Sequence, residues 1–394
     1  MRLGVLRENR ARERRVALTP TGAAALIGDG HEVIVEVGAG LRAGFGDEAY
    51  RDTGATVAQR SAVIGDGGVI TGVHGPTEED IGAPEWSTLG ADHVLLAQHD
   101  PLWRPARAAA LGATGATVVS LELIPRTTKA QSMDVLSSAA TVAGYEAALL
   151  AAAKLQRMLP MLMTAAGTVP PSRFVVLGAG VAGLQAIATA RRLGAVVEGY
   201  DIRPAAMEQI QSLGAKAIEL TLDAAPAEGS GGYAAEQTEE LNRRQNELLT
   251  PYLAEADAVI TTAAVPGAPS PELITTPMVE AMGDGSVIID LAAERGGNCR
   301  LTVPDEEITH DGVLILGPTD LASRAAATAS QMFSNNVISL LRHLAPAGDE
   351  ADESALTLDL EDEITDGVVV ATGGTVRHPR VAERLAAEET EDSP

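Results

Sequence analysis

The sequence predicts an α/β protein of two domains, each with a mostly parallel sheet flanked by helices. Three observations carry this. Short apolar runs alternate with helical patterns along most of the chain. The length, 394 residues, is more than one core usually organises. Residues 175–201, VVLGAGVAGLQAIATARRLGAVVEGYD, join an apolar run, a glycine turn, a helical pattern and a second apolar run that ends on an acid. That order is the strand–turn–helix–strand unit of a Rossmann dinucleotide-binding fold, and it assigns that fold to the second domain.

In the first domain, residues 1–6, 31–36, 68–73, 94–97 and 117–121 read as strands, with helical stretches such as 19–28 between them. A long Ala- and Leu-rich helix, 132 to about 158, is expected to carry the chain into the second domain. Pro170-Pro171 then stiffens the approach to the strand at 174–177. Further strands are expected at 195–197, 217–220, 258–261, 286–290 and 313–316, with a loop at 223–232 and partial helix within 233–247. A helix near 322–344 would return the chain to the first domain. The acidic tail holds two strand expectations, 355–360 and 367–371, and the final EETEDSP reads as disordered. The predicted domains are 1–131 with 330–394, and 132–329.

The glycine turn has a chemical logic. Gly178 allows the tight turn, Gly180 removes a side chain where a pyrophosphate would approach, and Gly183 lets helix and strand pack closely. Ala179 and Val181 complete the turn, whose helix start offers free N–H groups and partial positive charge to phosphates. Asp201, 18 residues beyond Gly183, is placed to bond an adenosine ribose diol, with Ile202 and Arg203 beside it. Its charge opposes a 2′-phosphate and favours NAD(H), although Arg203 could soften that preference. Thr261, Thr262 and Ala263 follow a strand and are expected near the nicotinamide ribose, unless they merely end the strand.

Composition narrows the function classes. There are 54 acidic against 29 basic residues, a net charge of −25, and only three lysines, Lys129, Lys154 and Lys216. Such a surface argues against nucleic acid and anionic lipid as partners. It fits plain solubility, and it fits adaptation to high salt, where screening weakens self-repulsion. Cys299 is the single cysteine, so no internal disulfide forms, in keeping with a reducing cytoplasm. The charged N-terminus lacks a signal-peptide core, and no long apolar run is free of charge, so no membrane insertion is expected.

Residues 124–147, IPRTTKAQSMDVLSSAATVAGYEA, together with TAAGTVPP at 164–171 and DLAAERGGNC at 290–299, closely resemble the soluble NAD(H)-binding component of proton-translocating nicotinamide nucleotide transhydrogenases. RVALTP near the start, GGYAAEQTEE, ITTAAVPGAPSP, SRAAATASQMFSNNVISLL and the late His378-Pro379 follow in the family's order, so the resemblance spans nearly the whole chain. It implies that NADH bound here passes hydride directly to NADP⁺ on a partner subunit that binds NADP(H), with separate membrane subunits coupling the exchange to proton movement. It also implies a homodimer, peripheral on the cytoplasmic face of the membrane. By the same resemblance, Arg126, Gln131, Asp134 and Ser137 stand at the nicotinamide end, and Tyr233 on a mobile loop that closes over nucleotide, with Gly229, Gly231 and Gly232 to permit movement. Gln131 and Ser137 suit a carboxamide, which needs a donor and an acceptor, and Asp134 could hold a ribose hydroxyl or orient Arg126. In the alternative, Asp134 caps the long helix and pairs with Arg126. No general acid or base is needed; catalysis would come from bringing two C4 atoms together without water. Two departures from the family pattern are Lys129 for arginine and Gln237 for methionine.

Two other functions share part of this pattern. Alanine dehydrogenases have RVALTP and the nucleotide domain but need a lysine and a histidine in the first domain. Here the lysine position carries His74, the histidine position falls at Ala97 or Gln98 with His99 nearby, Arg15 is kept, and Glu294 takes the place of a catalytic aspartate. His74 and His99 are read as surface or loop residues. The third reading is a noncatalytic NAD-binding subunit that senses redox state.

Overall fold

The computed structural model describes residues 1–220, 239–345, 356 and 358–391. The chain divides into two units, Met1–Ala139 with Ala325–Pro394, and Ala140–Arg324. In chain order the strands are β1 Arg2–Val5, β2 Glu32–Glu36, β3 Thr56–Ala58, β4 Gly68–His74, β5 His93–Gln98, β6 Thr117–Ser120, β7 Leu162–Thr164, β8 Gly167–Val169, β9 Arg173–Leu177, β10 Val196–Tyr200, β11 Lys216–Ala217, β12 Ala258–Thr261, β13 Val287–Asp290, β14 Glu307–His310, β15 Val313–Leu316, β16 Val369–Thr372 and β17 Thr375–Val376.

The first unit holds an eight-stranded sheet in the order β17-β16-β6-β5-β4-β1-β2-β3. From β6 to β3 every pair is parallel, while β16 and β17 run antiparallel at one edge. Parallel strands are covered on both faces, which is why Leu3, Val5, Val35, Ile70, Leu95 and Leu96 are all buried. The helix Pro20–Gly28 starts at Thr19, whose hydroxyl accepts the Gly22 N–H, with Pro20 at its first position. The long helix Ala326–Leu344 seats Phe333, Val337 and Leu341 in the same core. It also ties RVALTP down, because Ser330 accepts the Val16 N–H and Ser334 the Thr19 N–H.

The second unit holds a seven-stranded sheet, β11-β10-β9-β12-β13-β15-β14, parallel except for β14 at its edge. The order reverses between β9 and β12, the place where open α/β sheets bind ligands. The helix Val181–Arg192 packs Gly183, Ala186, Ile187 and Ala190 inward and ends before Gly194, whose φ is +96°. The helix Val135–Lys154 is long and apolar enough to cross a bilayer by length and composition alone. Its Ala147, Ala148 and Ala151 are instead fully buried in the second unit's core. The hairpin β7–β8 is antiparallel and stands apart from both sheets.

Several expected elements shift. The long helix begins at Val135, not 132, because residues Thr128–Met133 form a tighter 3-10 turn ahead of it. The units divide at 139/140 and 324/325, whereas the sequence placed the divisions at 131/132 and 329/330. The strand expected at 367–371 starts only at Val369, since Asp362 caps a short helix, Glu363–Val368, by accepting the Thr365 N–H. The described residues among 355–360 form no strand. The tail expected to be disordered is helical as far as Glu391 in Pro379–Glu391, a helix anchored by buried Val381. The loop at 223–232, Tyr233 and Gln237 lie outside the described residues.

Candidate functional site

Three groups of side chains matter, one in the second unit and two in the first. In the second unit, Gly178 and Thr262 leave the sheet side by side, because Leu177 and Thr261 are register partners. Gly178 has φ +95°, and a Cβ there would lie 2.6 Å from the Thr262 hydroxyl. A Cβ on Gly183 would lie 1.8 Å from the Gly178 carbonyl oxygen, so only glycine lets the helix sit this close. Gly180 differs: a Cβ there meets nothing within 4 Å. Gly180 is also the N-cap of Val181–Arg192 and no side chain caps that helix. The helix start thus has open space before it and uncapped N–H groups behind that space, which fits a dinucleotide pyrophosphate. Val181 is exposed at this mouth and Ala179 is buried.

Asp201 is buried and already engaged. Its Oδ2 accepts the Ala179 N–H at 2.7 Å, and its Oδ1 accepts the Arg203 N–H at 2.8 Å. The Arg203 guanidinium closes on both carboxylate oxygens, at 3.0 and 2.9 Å. The acid therefore fixes the glycine turn, and Arg203 is held beside it by charge. Ile202 is half-buried between them.

The threonines are more committed than the sequence suggested. Thr261 is fully buried and donates to Asp290 at 2.9 Å, while Thr262 donates to the Gly178 carbonyl at 3.0 Å. Asp290 itself gathers five donors: Thr261, the Ala292, Asn298 and Cys299 N–H groups, and Thr302. Asn298, wholly buried, accepts the Ala263 N–H and donates to the Ala263 and Pro271 carbonyls. Residues 261–263 are thus shaped by a polar core whose members Asp290 and Asn298 were visible only as the motif DLAAERGGNC. Cys299 is no nucleophile: burial pushes its thiol up to about 11.

In the first unit, the 3-10 turn Thr128–Met133 buries Ala130 and Met133 and leaves Lys129, Gln131 and Ser132 exposed. Asn336, from the long C-terminal helix, donates to the Ser132 carbonyl at 2.8 Å and fixes the turn. Asp134 accepts the Ser137 N–H at 2.9 Å and the Ser137 hydroxyl at 2.6 Å, so it caps the following helix. Arg126 is exposed on the approach to this turn. Asp134 and Ser137 therefore form a pair, and Asp134 caps the helix as one half of its alternative reading expected.

A third cluster lies at the C-terminal ends of β1 and β4. Arg15 makes a buried, two-pronged pair with Glu13, at 2.8 and 2.7 Å, and His74 Nε2 is 2.9 Å from the same carboxylate. Arg15 and His74 together hold Glu13 well below the usual carboxylate range, against the opposing effect of burial. Burial lowers His74 to about 4. Glu8 accepts the Val73 and His74 N–H groups, yet burial and the Glu13 charge raise it to about 7. His99, expected in a loop at the surface, is fully buried, with burial lowering it to about 4. His74 is the last residue of β4 and only partly exposed. Glu294 is solvent-exposed.

Against this geometry, residues 4–143 match the alanine dehydrogenase/PNT N-terminal domain and residues 147–379 the alanine dehydrogenase/PNT C-terminal domain. The chain belongs to the alanine dehydrogenase/PNT family. Within that family it is 44% identical over 381 residues to an NAD(P) transhydrogenase subunit alpha polypeptide of Rhodospirillum rubrum, covering 96% of this chain and 98% of that one. The crystal structure of the transhydrogenase from Sinorhizobium meliloti superposes with a TM-score of 0.84 at 40% identity, covering 96% of this chain and all of that chain. The alanine dehydrogenase of Staphylococcus epidermidis is more distant, 29% identical over 79% of this chain and 76% of its own. The chain therefore stands with the transhydrogenase alpha subunits of the alanine dehydrogenase/PNT family.

Proposed function

We propose that this chain is the NAD(H)-binding component of a proton-translocating NAD(P) transhydrogenase, passing hydride directly between NADH and NADP bound on a partner subunit. The observation that carries the nucleotide portion of this reading is the uncapped helix start at Gly180, with space for a phosphate before it. Gly178, Ala179, Gly180, Val181 and Gly183 cradle the pyrophosphate, and Asp201 receives the adenosine ribose once Arg203 yields or shares its carboxylate. Asn298 sets the path of residues 261–263 past the nicotinamide ribose. When bound, the nicotinamide supplies the hydride. Gln131 and Ser137 fix its carboxamide, while Asp134 orders Ser137 and Arg126 supplies positive charge.

His74 supports this reading over the dehydrogenase, because it stands where a lysine would be needed; it lies 2.9 Å from Glu13, which also pairs with Arg15. The membrane and NADP(H)-binding components are separate subunits, and this chain is peripheral on the cytoplasmic face. The hairpin β7–β8 supports a homodimer, because Met163 on it is 78% exposed and Met161 just before it is exposed too. The acidic excess supports a high-salt source; thermal stability that rises from low to molar KCl supports it, and equal stability at both excludes it.

Mixing the purified chain with a transhydrogenase NADP-binding component tests the main reading. NADH-dependent reduction of an NADP analogue is the expected result. Ammonia-dependent reduction of pyruvate by the chain alone would establish the dehydrogenase instead. NADH binding with neither reaction would leave the redox-sensing subunit.

A further inference from the structure

Arg107 is the one arginine among the described residues whose guanidinium is buried with nitrogen atoms that meet no acceptor. Its residue exposure is 3%. Nη2 donates to the His99 carbonyl, but Nε and Nη1 have no partner. A buried cation in this state is strongly disfavoured unless something completes its shell. Neither of the nearby carboxylates, Asp100 and Glu122, makes a hydrogen bond to these two nitrogens, and Asp100 lies 3.9 Å from Arg104. Glu122 is occupied by the His99 and Asp100 N–H groups, at 3.0 and 2.8 Å, and by the Ser120 hydroxyl.

The helix start adds partial positive charge. Arg107 lies in the first turn of Pro105–Ala113, a nine-residue helix whose N-cap, Arg104, makes no side-chain cap. The hydrogen bond to His99 aims the guanidinium back at the loop that leads into this helix start. Arg104 and Arg10 bear on the same point, and burial together with their repulsion lowers the Arg107 pKa; Asp100 and Glu122 oppose it. Burial also raises the pKa of Glu122. A helix start without a side-chain cap and a buried guanidinium with two unpartnered nitrogens meet here, in a protein of net charge −25.

We propose that the start of the helix Pro105–Ala113 holds a compact inorganic anion, of the size of chloride or phosphate, against the free N–H groups of Arg107. The anion completes the shell of the buried cation and locks the loop from His99 to the helix. The site is distinct from the nucleotide turn and does not depend on the reaction assigned above.

The test uses the full chain at fixed potassium concentration and fixed ionic strength, with gluconate replaced stepwise by chloride, and in a second series by phosphate. The melting temperature should rise saturably by about 3 °C in one or both series. The series that saturates at the lower concentration names the preferred anion. Arg107→Met should abolish the rise. Crystals soaked in bromide should show anomalous scattering beside Arg107 Nη1 or Nε, a readout that holds even if the variant fails to fold. Superimposable melting curves in all three salts, an undiminished rise in Arg107→Met, or an ordered water in place of bromide would overturn the proposal.

Discussion

Gly180→Ala separates binding from folding at the nucleotide turn. The residue has φ −75° and ψ −169°, which alanine adopts freely, and a Cβ meets nothing within 4 Å. Alanine is a poorer N-cap than glycine but loses less chain entropy on folding, so the two effects offset to within about 1 kcal/mol. The melting temperature should therefore move by no more than about 3 °C. The methyl group would project into the space before the helix start and hold a phosphate away from the N–H groups. Losing one hydrogen bond to a charged group costs about 1.5–3 kcal/mol, which weakens NADH binding about 10- to 100-fold. Gly183→Ala is the contrast. Its Cβ would stand 1.8 Å from the Gly178 carbonyl oxygen, so helix and strand must separate. About 1–3 kcal/mol of stability should go, with a fall of several degrees in melting temperature. Calorimetric titration with NADH and thermal melts on both variants give the answer. Unchanged NADH affinity in Gly180→Ala, with the protein folded, would mean that the pyrophosphate does not lie against this helix start.

Three further outcomes follow from the same geometry. Asp201→Ala should relax discrimination against NADPH, because it removes the carboxylate and frees the Arg203 guanidinium that the acid now holds; unchanged selectivity in competitive binding would mean that another group reads the ribose. Gln131→Asn should slow hydride transfer while NADH affinity stays nearly constant, as expected for an exposed side chain on an anchored turn; a large affinity loss with an unaltered single-turnover rate would refute its role. Glu8 has a pKa of about 7 against an ordinary 4.5, so the folded protein keeps a proton that the unfolded chain releases between those values, and stability falls as pH rises through that window. Glu8→Gln keeps an acceptor for Val73 and His74, and its stability advantage over the parent should grow by up to about 3 kcal/mol from pH 4.5 to 7; an advantage independent of pH in denaturant titrations would contradict this.

The parallel sheets were legible because their strands are apolar on both faces, as at Phe174 to Leu177, and because glycines and prolines punctuate them. The glycine turn was legible at Gly178 and Gly183, since each answers a separate steric demand of the fold. Elements whose signal is tertiary were not. The edge strands β3 and β14 and the hairpin β7–β8 are short and partly polar, with little periodicity to detect. The 3-10 turn at Thr128–Met133 depends on Asn336, some two hundred residues away, and no local pattern announces that bond. Thr261 sits at a strand end, yet its hydroxyl faces a buried acid rather than the crevice. His99 looked like a loop residue because Asp100-Pro101 follows it, while its ring is packed against Gly75 and bonded to the Leu95 carbonyl.

Direct hydride transfer between two nucleotides is tested most directly with an isotope. NADH carrying deuterium in the transferable position at C4 is mixed with this chain, a transhydrogenase NADP-binding component and NADP⁺. The predicted result is deuterium retained at C4 of the NADPH formed, with none released to water. Deuterium lost to solvent, or no NADPH formed although NADH binds, would contradict the function proposed here.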